Sequence, residues 1–317
     1  MAEKKEGTFR TTIGGQALIE GILMRGPEKD AIVVRSPEGL VTKVTDRKLT
    51  KANYPILGAP IIRGVVTFIG SMITGVKALM FSADYFPEDE NAKPDRVEEW
   101  LEKHVPAEKL QNLLVAFSVI LSIGMMLVLF MLLPTFLAGL FHAKSAAVHN
   151  VIEGVVKVLV LLGYMILCSK QKDVHRVFCY HGAEHKTIFC YEKGLPLTVE
   201  NVRPQSRFHP RCGTSFLFVV VIISILVFSL VSLRVGLWDN PWVRIGLRLL
   251  LLPVVVSISY EINRWVGRHD NLCSRILSAP GKWLQRLTTN EPDDSMIECA
   301  IRALELVIPE EKGSDAW

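Results

Sequence analysis

The sequence predicts a mainly α protein: a polytopic transmembrane helix bundle of four spans plus one amphipathic or re-entrant helix, with a small soluble α/β element at its N-terminus. Three observations lead there. Half of the 317 residues are hydrophobic and the mean hydropathy is +0.30, yet 21% are charged, so sizeable polar segments accompany an apolar part. Four apolar segments, about 112–134, 151–169, 215–233 and 243–262, are long enough to cross a hydrocarbon core. The first 55 residues instead break short apolar runs with turn residues.

Within 1–55, glycine pairs and Gly26-Pro27 punctuate GGQALIEGILMRGP at both ends, and AIVVRSPEGLVTKVT reads as a hairpin. Ile32, Val33 and Val34 form one strand and Leu40, Val41 and Val44 the other; Ser36-Pro37-Glu38-Gly39 suits a type I turn between them. Region 56–110 begins with an apolar helix at 56–82. On it Arg63, Thr67, Gly70, Ser71 and Thr74 recur as a small, polar stripe. Such a helix lies in the interface or packs on the bundle, or it spans and packs closely through its small residues. Arg63 and Lys77 favour the first reading. A charged connector follows, with a short helix around 96–104.

Spans 1 and 2 occupy 111–169 and spans 3 and 4 occupy 215–262. Their charges lie away from the centres: Glu153, Lys157, Arg244 and Arg248 sit near ends, where long side chains snorkel to water. The tail, 263–317, is amphipathic. Trp283, Leu284 and Leu287 stand beside Lys282 and Arg286, and Asn290 to Asp294 has the capping, proline and acidic residues of a helix start. Met296, Ile297, Ala300, Ile301, Leu304 and Ile308 then make one apolar face, suited to docking on the protein's own body.

Flanking charge orients the bundle. Lys144 alone marks 135–150 and Arg234 alone marks 234–242, whereas 170–214 carries eight lysines and arginines. Both termini and the 170–214 segment are therefore expected in the cytoplasm. The basic residues form no stripe, which argues against nucleic acid as a partner. Six scattered cysteines do not make a disulfide framework. Span centres without ionisable residues rank a transporter or channel last.

Ligand chemistry concentrates in 170–214, with His175, His181, His185, His209, Cys179, Cys190 and Cys212. His181-Gly182-Ala183-Glu184-His185 is H-x-x-E-H, the inverted zincin pattern. If Lys170 to Lys193 forms a helix ended by Gly194 and Pro196, His181 and His185 project from one face and can share a divalent metal, most readily zinc. Gly182 weakens that helix. Glu184 would act as general base toward an activated water. His209, Cys212 or Glu261 would complete the shell, Glu261 by analogy with the downstream glutamate of inverted zincins. Four protein ligands, His181, His185, His209 and Cys212, would instead close a structural zinc site. Cys179 and Cys190 read as small apolar packing. Glu20 would extend the site and Arg25 would hold an anion, with an internal ion pair an equal alternative.

The motifs GGQALIEGILMRGP, HGAEHKTIFCYE, LTVENVR and HPRCGTSF together resemble the YqhQ-like family, bacterial polytopic membrane proteins of unknown function described as predicted metal-dependent enzymes. The resemblance runs from about Gly14 to the EPDD segment. It implies a multi-pass protein of the bacterial inner membrane, and by motif it points to His181, Glu184, His185, His209 and Cys212. The expectation is an integral-membrane zinc hydrolase acting at the cytoplasmic face on a lipid headgroup or a peptide. The bilayer would be its partner, and small residues on 56–82 would permit a homo-oligomer. The alternative is a non-catalytic membrane scaffold or assembly factor clipped by a structural Cys/His zinc.

Overall fold

A computed structural model describes residues 9–47, 55–60, 62–86, 107–142, 145–232, 240–311 and 313–316. The helix expected at 96–104 lies outside them. The N-terminal element is a four-stranded antiparallel sheet in the order β1-β2-β3-β4, with β1 Gly14–Leu18, β2 Gly21–Arg25, β3 Lys29–Ser36 and β4 Gly39–Asp46. The expected α/β element is thus all strand among the described residues. GGQALIEGILMRG folds as a hairpin around Ile19-Glu20, where Glu20 adopts φ +49° and Gly21 pairs back with Leu18. An apolar run this short does not separate strand from helix by periodicity. The second hairpin turns at Pro37-Glu38 on the Ser36–Gly39 pair, as its turn residues indicate.

Strand alternation gives the sheet two working faces. Ile22, Met24, Ala31 and Val33 enter the main core. Leu18, Leu23 and Ile32 face the other way, onto Ala78 of helix α1, Ile62–Ala83. With both faces covered, β2 is buried at four successive positions, Gly21 to Met24. Helix α1 turns its smallest residues inward: Gly64, Gly75, Ala78 and Ser82 are buried. Gly75 abuts the Gln16 side chain, and Arg25 donates to Ser71 Oγ at 2.8 Å. A Cβ on Gly64 would come within 2.9 Å of Ser257 Cα in helix α8, Pro241–Arg268. The polar stripe therefore lies on the sheet side of the helix, with Ser71 bonded to Arg25 and Thr67, Gly70 and Thr74 bordering an open space, while Ile69, Met72, Val76 and Met80 stay exposed.

The chain divides into two compact units, one of 1–86, 165–227 and 237–317, the other of 87–164 and 228–236. In the first, helix α5, Lys172–Glu192, runs unbroken through Gly182 and stops before Gly194 at φ +66°. A short helix α6, Val199–Val202, leads to the apolar helix α7, Gly213–Ser232. The tail forms helices α9, Leu272–Thr288, and α10, Asp294–Glu305. Helix α10 is part of the main core: Met296, Ile297, Cys299, Ala300, Ala303 and Leu304 pack with Cys179, Tyr180 and Ala183 of α5. Asp293 caps α10 by accepting from the Met296 N–H at 3.0 Å. Asp293→Ala should therefore lower stability by about 1 kcal/mol, read as a shift in the denaturation midpoint; an unchanged midpoint would mean that the cap contributes nothing.

The second unit contains helix α2, Ala107–Leu127, a π turn, helix α3, Leu133–Gly139, and most of helix α4, Ala146–Ser169. Glu153 does not snorkel. It is buried, with Lys157 Nζ at 3.1 Å, the Thr135 hydroxyl donating at 3.1 Å and His149 at 3.7 Å. Two partners one turn away on the same helix and Thr135 from α3 replace water, as a buried carboxylate requires. Among the described residues four helices are long and apolar enough to cross a membrane: Ile62–Ala83, Ala116–Gly139, Val148–Ser169 and Ile245–Arg268. The number matches the expectation but the membership differs. Phe216–Val231 is shorter, and α1 takes its place.

Candidate metal centre

Helix α5 sets two imidazoles one turn apart. The His181 and His185 ring centroids are 4.4 Å from each other. Cys212, just before α7, reaches the same point, its Sγ 3.1 Å from His181 Nε2. The ligand atoms of His181, His185 and Cys212 all lie within 4.8 Å of one another, the only such group of three among the described residues.

Main-chain carbonyls fix both rings. His181 Nδ1 meets the Thr288 carbonyl oxygen at 2.8 Å and His185 Nδ1 meets that of Arg207 at 2.6 Å. A carbonyl only accepts, so each Nδ1 carries the proton and each Nε2 is the nitrogen turned to Cys212 or left free. Donation from the second ring nitrogen to a carbonyl is the usual support of a metal-ligating histidine. His185 Nε2 is buried without a protein hydrogen-bond partner. Burial disfavours charge on His181, but Cys212 beside it outweighs this and raises its pKa to about 9. Burial likewise opposes a Cys212 thiolate, and the two histidines overcome it, holding the thiol well below its ordinary pKa.

Glu184 comes from the same helix. Its Oε1 accepts from the Gly15 N–H at 3.0 Å, while Oε2 is buried and unpartnered. Burial pushes its pKa up. Gly15 is required there: a Cβ would come within 2.7 Å of the Leu23 carbonyl oxygen and 3.0 Å of Glu184 Cδ. Gly182 has a comparable task, because the Asn290 carbonyl oxygen occupies the space a Cβ would need. The glycine expected to weaken the helix lets the 289–292 segment cross it.

His209 lies next to the group but is turned to other partners. Its ring centroid is 5.5 Å from that of His185, and its Nε2 is 3.3 Å from Arg211 Nη2 and 3.7 Å from Glu192. Gln285, wholly buried, clamps its main chain through two hydrogen bonds of 2.7 and 2.8 Å. Burial lowers the His209 pKa to about 4, so the ring is neutral. Glu192 is pushed up by burial, yet His209 and Arg211 leave it lowered on balance. Glu261 is not brought to the group. Both of its oxygens bind the Arg63 guanidinium, one of them at 2.6 Å. Glu20 pairs with Arg176 and accepts from the Tyr180 hydroxyl at 3.2 Å, and Arg25 pairs with Asp30 at 3.3 Å. Cys179 and Cys190 are core packing, and all six cysteines are free thiols.

Sequence reasoning missed the Gly15 N–H, the Thr288 and Arg207 carbonyls and Gln285. The carbonyls leave no trace in a sequence. Gln285 does, as an amide on the buried side of an amphipathic helix.

Fold and site define a class: a protein of helices long and apolar enough to cross a membrane, joined to a packed sheet-and-helix body that gathers two histidines, a cysteine and a buried glutamate. Residues 59–310 match the family described as a protein of unknown function (DUF1385). The chain is also 36% identical over 301 residues to the uncharacterized protein YqhQ of Bacillus subtilis (strain 168), covering 92% of this chain and 90% of that protein. It belongs to this YqhQ-like family. No solved structure matches it.

Proposed function

We propose that the protein is an integral-membrane, metal-dependent enzyme, a zinc hydrolase working at the cytoplasmic face of the bacterial inner membrane. One observation carries this reading: two imidazole Nε2 atoms and a thiol converge within 4.8 Å, beside a buried carboxylate oxygen with no partner. The donor set suits zinc, which takes nitrogen and sulfur ligands together. His181, His185 and Cys212 would hold the ion, and zinc bound there would supply Lewis acidity. Three protein ligands rather than four favour a catalytic over a closed structural site.

Glu184 supplies the base. Gly15 anchors one oxygen and thereby aims the other, and burial raises its affinity for a proton toward the range a general base needs. The neutral His209, itself beside the Glu192–Arg211 pair, lies next to His185. A lipid headgroup or a membrane-proximal peptide suits a site on a body attached to apolar helices.

Elemental analysis of detergent-purified protein tests the reading. Wild type should carry near-stoichiometric zinc, His181→Ala should lose it, and Glu184→Gln should keep it while turnover falls by about 100-fold or more. Metal-free wild type would sink the proposal. It would leave Cys212 and His181, 3.1 Å apart, as a thiol beside a base.

A further inference from the structure

The sheet face turned away from the histidines walls a cavity of about 690 Å³. This is the size of a small-molecule site. Three strands contribute to it by alternation: Leu23 and Arg25 from β2, Asp30 and Ile32 from β3, Lys43 and Thr45 from β4. Opposite stand Thr67, Gly70, Thr74 and Lys77 of α1, most of the polar stripe noted in the sequence. Four cationic side chains, Arg25, Lys43, Arg47 and Lys77, line the space against two carboxylates, Asp30 and Asp46.

Three of the cations are held in place by neighbouring groups. Arg25 is fixed by Asp30 and Ser71, Arg47 donates to the Gly26 carbonyl at 2.8 Å, and Lys43 lies 4.8 Å over the Phe81 ring. Lys43 and Lys77 have no carboxylate partner among the described residues. Two carboxylates offset only part of the four cationic charges, so the lining stays net positive and an entering anion is favoured. The apolar part of the lining, Leu23, Ile32, Val66 and Ile73, continues onto the exposed face of α1 with Ile69, Met72 and Val76. A ligand with an anionic head and an apolar tail matches both halves.

The structure assigns this cavity, independently of any metal at the histidines, as a binding site for a phosphate-bearing anion presented by an acidic phospholipid. Arg25, Arg47, Lys43 and Lys77 take the phosphate, and the acyl chains leave along α1. The strand that ends at Arg25 also carries Met24, which pairs with Gly15, whose N–H anchors Glu184. Occupancy of the cavity thus bears on a strand that borders the Glu184 anchor.

The test titrates delipidated, full-length protein in neutral detergent with phosphatidylglycerol, phosphatidylcholine or inorganic phosphate, reading the thermal midpoint. Phosphatidylglycerol should raise the midpoint where phosphatidylcholine does not. Lys43→Gln/Lys77→Gln should need at least about tenfold more lipid for the same rise. Lys43→Arg/Lys77→Arg should restore it. Lys43→Gln gives up the Phe81 ring contact and both substitutions relieve like-charge repulsion, so the response of each variant is read against its own midpoint without lipid, which separates lost binding from lost folding. Lys282→Gln/Arg286→Gln on α9 removes equal charge elsewhere. If that control weakens the response equally, or if phosphatidylcholine acts as well as phosphatidylglycerol, the assignment is overturned. A midpoint raised by inorganic phosphate alone, and lost in the double glutamine variant, keeps the anion site but rejects the lipid as its source.

Discussion

Gly182→Ala is expected to destabilise the protein by about 2 kcal/mol or more, although it replaces a glycine in the middle of a helix. Helix propensity alone favours alanine by about 1 kcal/mol. Against that, the new Cβ would occupy the place of the Asn290 carbonyl oxygen and lie 3.3 Å from its carbon and 3.5 Å from Pro292 Cδ. The obstacle is main chain, and it is tied down. The Asn290 N–H donates to the Phe178 carbonyl of α5 at 2.9 Å. Relief requires the 288–292 segment to lift away, and overpacking of this kind costs about 1–3 kcal/mol before lost hydrogen bonds are counted. The same segment carries the Thr288 carbonyl that holds His181 Nδ1 and the Thr289 carbonyl that accepts from Arg207 at 3.0 Å. The substitution should therefore lower the denaturation midpoint and loosen the histidine pair together. A raised midpoint would show that propensity wins and that the crossing segment is free to move.

How much of this was legible beforehand depended on whether the signal was local. The i, i+4 spacing of His181 and His185 and the Gly194 stop placed α5 correctly, because a helix face is a local property. The β3–β4 hairpin was legible for the same reason, its turn residues sitting between two short apolar runs. The third member of the donor cluster was not. His209, Cys212 and Glu261 were equal candidates in the sequence, and choosing among them required contacts distant along the chain. Gln285 clamps His209 from α9, and Arg63 takes Glu261 from α1. Burial of Glu153 was hidden likewise, since Thr135 comes from another helix. The packing of α1 was half legible: its polar stripe was visible, but what the stripe faced was set by the sheet.

Zinc should shift the thermal midpoint of the metal-stripped protein by on the order of ten degrees. An ion that binds only the folded state stabilises it by about 4 kcal/mol at a free concentration a thousandfold above its dissociation constant, and each kcal/mol moves the midpoint of a chain this size by roughly 2–4 °C. The response should be specific, because the folded state has already oriented its donors. His185→Ala removes the unpartnered Nε2 and should abolish the shift. Glu184→Gln should retain it, since the glutamate is anchored by Gly15 and is not among the three converging donor residues. His209→Ala is the decisive variant. Its ring faces Glu192, Arg211 and Phe189, whose ring centroid is 4.6 Å away, so zinc should still raise the midpoint of that variant from its own, lower baseline. If His209→Ala abolishes the shift as His185→Ala does, four protein ligands close the shell. The site then holds the 175–212 segment in place instead of activating a substrate, and the scaffold reading replaces the enzyme.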